Sequence, residues 1–167
     1  MHLDHTVLEL DRFLPYRLSV LSNRISQDIA NLYSERFDLS VTEWRILAVL
    51  GRYPELSATE VAERTAMDKV AISRAVTSLL AGGRLKRRTH GADRRRSVLS
   101  LSAKGLRVYD EIVPLALAYE RRLLDGLPAE ERAALHRLLT RMEERELATR
   151  EGEMGSDPFY RKAAKGI

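Results

Sequence analysis

Seven arginine and lysine residues lie within the 13 residues from Arg84 to Arg96, and Asp93 is the single acid among them. So many cations in so short a segment repel one another unless a polyanion lies nearby. The run surrounds a polar, Gly-containing stretch, residues 90–93, and a short apolar run follows it. This pattern predicts a two-stranded hairpin whose basic tip lies across phosphates and enters a DNA minor groove.

The residues of the predicted tip have separate roles. Arg94 and Arg95 are predicted to enter the groove, followed by Arg96, because narrow minor grooves attract arginine. Asp93 is expected to pair with a neighbouring arginine and so to hold the tip in shape. An ordinary solvated run of charge is the alternative explanation.

The charge of the chain is unevenly distributed. The net charge of the 167 residues is only +4. From Ser57 to Gly105, however, 11 Lys and Arg stand against 4 Asp and Glu, a net charge of +7, so the rest of the chain carries −3. A basic centre between acidic flanks is expected of a DNA-contacting segment on a neutral scaffold.

A helix is predicted just before the basic run, from about Lys69 to Ala81, with Asp68 as its N-cap. Its apolar residues follow helical spacing and are expected to face the core: Ile72, Ala75, Val76 and Leu79. The opposite face carries Lys69, Val70, Ala71, Ser73, Arg74 and Thr77. Arg74 can reach guanine or phosphate, Ser73 and Thr77 can hydrogen-bond, and Ala71 or Val70 can touch a thymine methyl group. The polar outer face of an ordinary amphipathic helix is the alternative.

Two capping boxes position this helix. Ser40-Val41-Thr42-Glu43 and Ser57-Ala58-Thr59-Glu60 each predict a helix start, because the Ser hydroxyl and the Glu carboxylate satisfy backbone N–H groups reciprocally. Gly82-Gly83 is expected to end the helix from Lys69, since glycine tolerates positive φ. The order helix, short helix, turn, helix, hairpin predicts a winged helix-turn-helix, in which the second helix enters the major groove. The predicted DNA contacts are Ser57, Lys69, Ala71, Ser73, Arg74, Thr77, His90, Asp93, Arg94, Arg95 and Arg96.

Long apolar stripes flank this centre. One is predicted from Val7 to about Phe37, where Pro15 either kinks the helix or marks its start. Ser102 is expected to cap a helix that runs to about Asp125 and is bent at Pro114. A final helix is predicted to have Pro128 at its first position. The apolar residues of the last two helices are Leu106, Tyr109, Ile112, Val113, Ala116, Leu123, Leu135, Leu138, Leu139, Met142 and Leu147. These stripes are longer than one small domain can cover, so they predict a partner.

The predicted fold is therefore mainly α with a small β-hairpin wing, a winged helix-turn-helix with long N- and C-terminal dimerisation helices. The expected boundaries are a dimerisation helix over 1–37, the DNA-binding domain over 38–101, C-terminal dimerisation helices over 102–151 and a tail over 152–167.

The sequence gives little support for a redox, metal-binding, enzymatic or membrane function. The chain has no cysteine, so disulfides and thiol redox sensing are excluded. Its four histidines, His2, His5, His90 and His136, lack metal-ligand spacing, and no nucleotide-binding or hydrolase motif is present. We therefore expect no enzyme activity, no metal and no cofactor. No apolar run approaches the roughly 20 residues of a membrane span, and the N-terminus lacks the pattern of a signal peptide, so a cytoplasmic location is expected.

The stretch from Asp93 to Gly105 resembles the wing-to-helix signature of the MarR family, in which Asp-x-Arg leads into Leu-x-Leu-(Thr/Ser)-x-x-Gly. Ser73-Arg74, Leu79, Gly83 and Arg87 are also similar to that family's recognition helix and its exit. With the flanking helices, the resemblance covers about residues 8 to 150. Arg84 departs from it, because family members commonly carry an apolar residue after the Gly, and so does the Gly82-Gly83 pair.

The resemblance implies a homodimer whose first and last two helices intertwine, reading a pseudo-palindrome with half-sites about 10 base pairs apart. It also implies a repressor released by a small aromatic or phenolic acid. Tyr16, Arg17 and Trp44 are the candidate pocket residues, with the guanidinium of Arg17 binding the carboxylate. Trp44 as a core residue and Arg17 in an interface salt bridge are the alternatives. Two other functions stay open: the dimerisation module of a larger enzyme, and an architectural or purely protein-binding winged helix.

Overall fold

The computed structural model describes residues 6–89 and 97–149. The chain divides after Tyr119 into two compact units, Met1–Tyr119 and Glu120–Ile167. In chain order the elements are α1 (Leu14–Asn31), α2 (Ser34–Phe37), α3 (Val41–Arg52), α4 (Ala58–Thr65), α5 (Lys69–Ala81), β1 (Leu85–Thr89), β2 (Ser97–Leu101), α6 (Ala103–Leu123) and α7 (Ala129–Ala148). The strands form one antiparallel hairpin, so the mainly helical fold with a β-hairpin is confirmed.

Local capping chemistry starts the central helices where the sequence predicted. At α3 the Ser40 hydroxyl accepts from the N–H of Glu43, and the Glu43 carboxylate accepts from the N–H of Ser40. Ser57 and Glu60 make the same reciprocal pair at α4. Both capping boxes are confirmed, and they fix where the polypeptide turns into each helix.

The core of the first unit lies between α3, α4, α5 and the hairpin, with α6 against it. Its fully buried side chains include Leu47 of α3, Val61 of α4 and Leu99 of β2. All four predicted core residues of α5 are buried: Ile72, Ala75, Val76 and Leu79. Since one face of α5 is packed in this way, its opposite face is presented outward.

The N-terminal helix differs from the prediction at both ends. Residues 7–13 are not helical, and α1 begins at Leu14 with Pro15 in its first turn, where the missing N–H costs nothing. The helix ends at Asn31, and α2 is a separate turn that closes at Asp38 with φ 48°. A single helix over Val7 to Phe37 is therefore wrong, and Pro15 marks a start rather than a kink.

A tight corner joins α5 to β1. Gly83 has φ +69°, whereas Gly82 keeps the right-handed conformation with φ −73°, so only one glycine of the pair uses its freedom. Ser102 caps α6 as predicted, accepting from the N–H of Gly105 at 2.9 Å. A Cβ atom on Gly105 would lie 2.0 Å from the carbonyl oxygen of Arg84, so only glycine lets α6 approach this corner.

The apolar stripes of the last two helices lie largely on the surface of the single chain. In α6, Ile112 is buried, but Val108, which the stripe omitted, is buried too, while Leu106 and Leu123 are exposed. Pro128 is the N-cap of α7 rather than its first residue. In α7 every residue of the predicted stripe is exposed: Leu135, Leu138, Leu139, Met142 and Leu147. None of the described helices has the length and apolar character needed to cross a membrane.

Candidate nucleic-acid interface

The outward face of α5 carries the predicted DNA-reading residues. Lys69, Ser73, Arg74 and Thr77 are exposed, and Ala71 is half-buried at the edge of the face. The Thr77 hydroxyl donates to the backbone carbonyl of Ser73 at 2.9 Å. Its hydrogen is therefore engaged within the helix, and the oxygen and methyl group face outward as an acceptor and an apolar contact.

The first turn of α5 is held by Asp68. One carboxylate oxygen of Asp68 accepts from the N–H groups of Val70 and Ala71, at 2.9 and 3.0 Å. Ahead of it, Ala66 takes the left-handed conformation, φ 51°, and ends α4. This turn sets the angle between α4 and α5, so it also sets how the outward face of α5 is presented.

Ser57 has a second task besides the predicted DNA contact. It is half-buried, and its hydroxyl accepts from the N–H of Glu60 at 3.2 Å. Its place at the start of α4 suits a phosphate contact, since the first helix of a helix-turn-helix crosses the DNA backbone. Its hydroxyl oxygen nevertheless serves the helix cap.

The hairpin presents its basic residues along β1. Leu85 is buried opposite Leu101, while Lys86, Arg87 and Arg88 are exposed. The hairpin is attached to the rest of the unit by a bond from Leu99 N–H to the carbonyl of Leu56, at 2.7 Å. The predicted tip residues lie outside the described residues: His90, Asp93, Arg94, Arg95 and Arg96.

A basic cluster between α3 and α4 was not predicted from the sequence. The guanidinium groups of Arg52 and Arg64 lie over the ring of Tyr53, at 5.0 and 4.1 Å from its centre. Close by in sequence, Glu55 pairs with Arg88 of β1 at 3.8 Å. The signal in the sequence is an aromatic residue directly after an arginine in Gly51-Arg52-Tyr53-Pro54, a stretch whose glycine and proline indicate only the end of a helix.

The three predicted pocket residues do not come together in one chain. Tyr16 and Arg17 lie on α1 and line a cavity of about 400 Å³ whose walls are all from that helix: Leu14, Tyr16, Arg17, Leu18, Val20, Leu21 and Arg24. Trp44 lies elsewhere, half-buried between Tyr33 and Tyr109 with ring centres 5.7 and 6.1 Å away. Trp44 therefore packs against the core, as the alternative interpretation held.

The described residues contain no group of three or more His, Asp or Glu side chains placed to hold a metal ion. Exposed basic side chains of the first unit include Lys69 and Arg74 on α5 and Lys86, Arg87 and Arg88 on β1.

A helix-turn-helix made of α4 and α5, followed directly by a two-stranded antiparallel hairpin, defines a winged helix-turn-helix protein. Comparison with known families agrees, because the model of the MarR family matches residues 37–96. The chain is therefore similar to the MarR family of transcriptional regulators, whose solved structures share its fold at 25 and 26% identity.

Individual proteins show the same likeness. An HTH-type transcriptional regulator of Bacillus cereus is 29% identical over 127 residues, which cover 75% of this chain and 84% of that protein. The crystal structure of a MarR/EmrR family regulator from Acinetobacter sp. ADP1 superposes with a TM-score of 0.76 at 25% identity, covering 83% of this chain and 97% of that one. BpsR of Bordetella bronchiseptica, whose DNA binding is regulated by 6-hydroxynicotinic acid, shares the fold at 22% identity, with a TM-score of 0.71 and coverage of 83% and 98%.

Proposed function

We propose that this regulator is a cytoplasmic homodimer that binds a pseudo-palindromic operator through α5 and the hairpin, represses transcription, and is released by a small aromatic acid. The observation that supports it most is the outward face of α5. One side of this helix is fully packed, its first turn is capped by Asp68, and its free side presents two cations and small hydrogen-bonding groups.

The charges around α5 support binding to duplex DNA. Lys86, Arg87 and Arg88 are exposed on the strand that follows α5, and Arg52 and Arg64, which lie over Tyr53, come before α5 in the chain. Cations in the elements before and after a reading helix suit phosphate contacts that orient the helix, while the helix itself reads base edges. A purely protein-binding winged helix gives no reason for this charge.

A homodimer is supported by apolar residues that one chain leaves uncovered. On α1, Leu14, Leu18 and Leu21 are exposed, and α7 has no buried residue at all. Contiguous exposed apolar faces of this kind mark interaction surfaces. A two-fold dimer would place two copies of α5 in successive major grooves, one helical turn apart.

An aromatic acid as the effector is supported by the cavity on α1. Its lining is apolar apart from two arginines and the hydroxyl of Tyr16, and Arg17 offers a planar fork that matches a carboxylate bidentately. All of its walls come from one helix, so a second copy packed on α1 would be needed to close it. The BpsR likeness extends to the fold alone, but its 6-hydroxynicotinic acid provides a suitable probe.

The test is selection of duplex DNA from a random pool by the purified full chain, followed by footprinting. We expect an enriched inverted repeat whose half-sites are centred about 10 base pairs apart. The logarithm of the binding constant should fall steeply with the logarithm of salt concentration. Enrichment of no sequence, with weak binding independent of salt, would favour a protein-interaction module instead.

A further inference from the structure

A polar cluster lies behind α5 and joins three elements: Ser40 and Glu43 at the start of α3, Ser78 of α5, and Arg84 at the corner before β1. We call this group the Glu43 cluster. Glu43 is 9% exposed. One of its oxygens accepts from the Ser78 hydroxyl at 2.6 Å, and the other accepts from the N–H of Ser40 at 2.8 Å. The carboxylate therefore ties the last turns of α5 to the start of α3.

Arg84 completes the cluster from the other side. Its guanidinium donates to the carbonyl of Phe37 at the end of α2, and its Nε is fully buried. The side chain of Arg84 is thus half-buried, whereas the cations that follow it in sequence are exposed: Lys86, Arg87 and Arg88. A residue that charge counting places in the DNA-binding run thus points its side chain into the protein.

The backbone of Arg84 is fixed as firmly as its side chain. Its N–H donates to the carbonyl of Leu79 at 2.8 Å, and its carbonyl accepts from the N–H of Ser102 at 3.0 Å. The neighbouring Gly83 carbonyl accepts from the Ser102 hydroxyl at 2.6 Å. Ser102, the N-cap of α6, therefore holds the backbone of the corner between α5 and β1. The Arg84 guanidinium ties the same corner to the end of α2.

Glu43 is ionised within this cluster at neutral pH. Burial raises the pKa of its carboxyl, but hydrogen bonds from Ser40 and Ser78 and the positive charge of Arg84 outweigh burial and hold the pKa below its ordinary value of 4.5. Removing the Glu43 carboxylate leaves the Ser78 hydroxyl and the Ser40 N–H without their acceptor, and removing the Arg84 guanidinium leaves the Phe37 carbonyl without its donor. Both losses are costly in a part-buried place.

We propose that Arg84 and Glu43 are positioning residues, which fix α5 and the base of the hairpin relative to α2 and α3, and that Arg84 makes no contact with DNA phosphate. This inference rests on the proposed DNA-binding function. It predicts the same outcome from two substitutions of opposite charge. Arg84→Met removes a positive charge and Glu43→Gln removes a negative one, yet both should impair operator binding because both disturb the placement of α5.

The experiment measures the affinity of each variant for the selected operator and for a scrambled duplex, over a range of salt concentrations. For both variants we expect roughly tenfold weaker operator binding, the effect of removing about one buried hydrogen bond. Scrambled-duplex affinity and salt slope should stay within error of the wild type. Arg87→Met, at an exposed arginine of the same run, serves for comparison and should make the slope shallower by about 0.9 for each phosphate that is no longer neutralised.

Two results would overturn the proposal. A shallower salt slope and weaker scrambled-duplex binding for Arg84→Met, with tighter binding for Glu43→Gln, would show that Arg84 acts through its charge on DNA. Unchanged operator binding by both variants would show that the Glu43 cluster does not position α5.

A second variant and a second readout cover other failures. If circular dichroism shows that Arg84→Met does not fold, Ser78→Ala provides a milder test. It removes only the hydroxyl that donates to Glu43, and it should weaken the preference for the operator in the same way but to a smaller degree. Hydrogen exchange of the amides from Leu79 to Leu85 requires no DNA and should be faster in Arg84→Met. If the wild type binds no duplex, the proposed function fails, and unaltered exchange would separately refute the positioning role.

Discussion

The hydroxyl of Tyr33 is buried, and within the described part of the chain it finds no hydrogen-bond partner. Burial raises the pKa of Tyr33 to about 12, because the neutral phenol is favoured inside the protein. The phenol ionises at 10.0 in the unfolded chain but only at about 12 in the folded protein, so the free energy of unfolding should hold below pH 10 and fall as the pH rises toward 12.

The change Tyr33→Phe should therefore not lower the free energy of unfolding, as a usual core substitution does. At pH 7 we expect the free energy of unfolding to stay the same or rise by about 1 kcal/mol, since an unpaired buried hydroxyl is removed. Between pH 10 and 12 the variant should keep more of its stability than the wild type. Urea unfolding at several pH values measures both effects, with Tyr53→Phe as the control. A loss above ~1 kcal/mol at pH 7 would mean that the hydroxyl is satisfied.

Arg17 is the residue at which the effector hypothesis can be tested directly. We expect Arg17→Ala to keep operator affinity but to need at least about tenfold more 6-hydroxynicotinic, salicylic or benzoic acid for half-release, because the variant has no guanidinium to bind the carboxylate. Gel-shift titration of the protein–operator complex gives both quantities. Arg12→Ala, at an exposed arginine paired with Glu9, is the matched control. Equal release of wild type and variant, or no release of the wild type, would contradict the pocket role.

The orientation of the Arg84 side chain could not be predicted from residue types alone. The sequence places it in a basic run, and a count of charges assigns it to DNA along with its neighbours. Its side chain instead reaches the Phe37 carbonyl, 47 positions earlier in the chain. Orientation of a long, flexible side chain depends on partners brought together by folding, so neighbouring residues could not reveal it.

At the scale of elements, α5 depends on its N-cap. Asp68→Ala leaves two N–H groups of the first turn without their acceptor, so we expect a loss of about 1 kcal/mol in the free energy of unfolding. Fraying of this turn should also weaken operator binding, because Lys69 and Ala71 belong to it. Thermal unfolding and gel shift measure the two effects. Asp68→Ser, which retains a capping oxygen, should restore most of both, and failure to do so would assign the effect to charge rather than to capping.

Elements defined by local chemistry were predictable from the sequence, and those defined by tertiary competition were not. The caps at Ser40, Ser57 and Asp68 involve residues two or three positions apart, so the sequence contains the whole interaction. The burial of the inner face of α5 followed from helical periodicity alone. The apolar stripe also continues through residues 7–13, where the structure has no helix. Apolar spacing reports only which side chains share a face, whereas Pro15 has no N–H to donate to a preceding turn of helix.

At the scale of the molecule, the exposed face of α1 should decide whether the protein dimerises. Leu18→Glu combined with Leu21→Glu adds charge where the single chain leaves these side chains 37% and 53% exposed, so each chain should still fold. We expect the wild type to be a dimer and the double variant a monomer, measured by light scattering over a range of concentrations. If the double variant is still a dimer, the dimer interface does not depend on this face of α1.

The DNA provides an independent check of the dimer. Inserting 5 base pairs between the selected half-sites turns one half-site to the opposite side of the duplex, about half a helical turn. Wild-type affinity should then fall to the level of a single half-site, which the monomeric variant should already show on the unaltered operator. Equal affinity of the wild type for both spacings would contradict a rigid two-fold dimer.

Trp44 is the only tryptophan of the chain, and its ring lies between Tyr33 of the α1–α2 turn and Tyr109 of α6. The protein therefore carries its own optical probe at a single, known place. The tyrosine rings at 5.7 and 6.1 Å are close enough to pass excitation energy to the indole, so ultraviolet emission should come mainly from Trp44. Any rearrangement of this junction, whether caused by operator or by acid, should change the colour and intensity of that emission without a dye or a label.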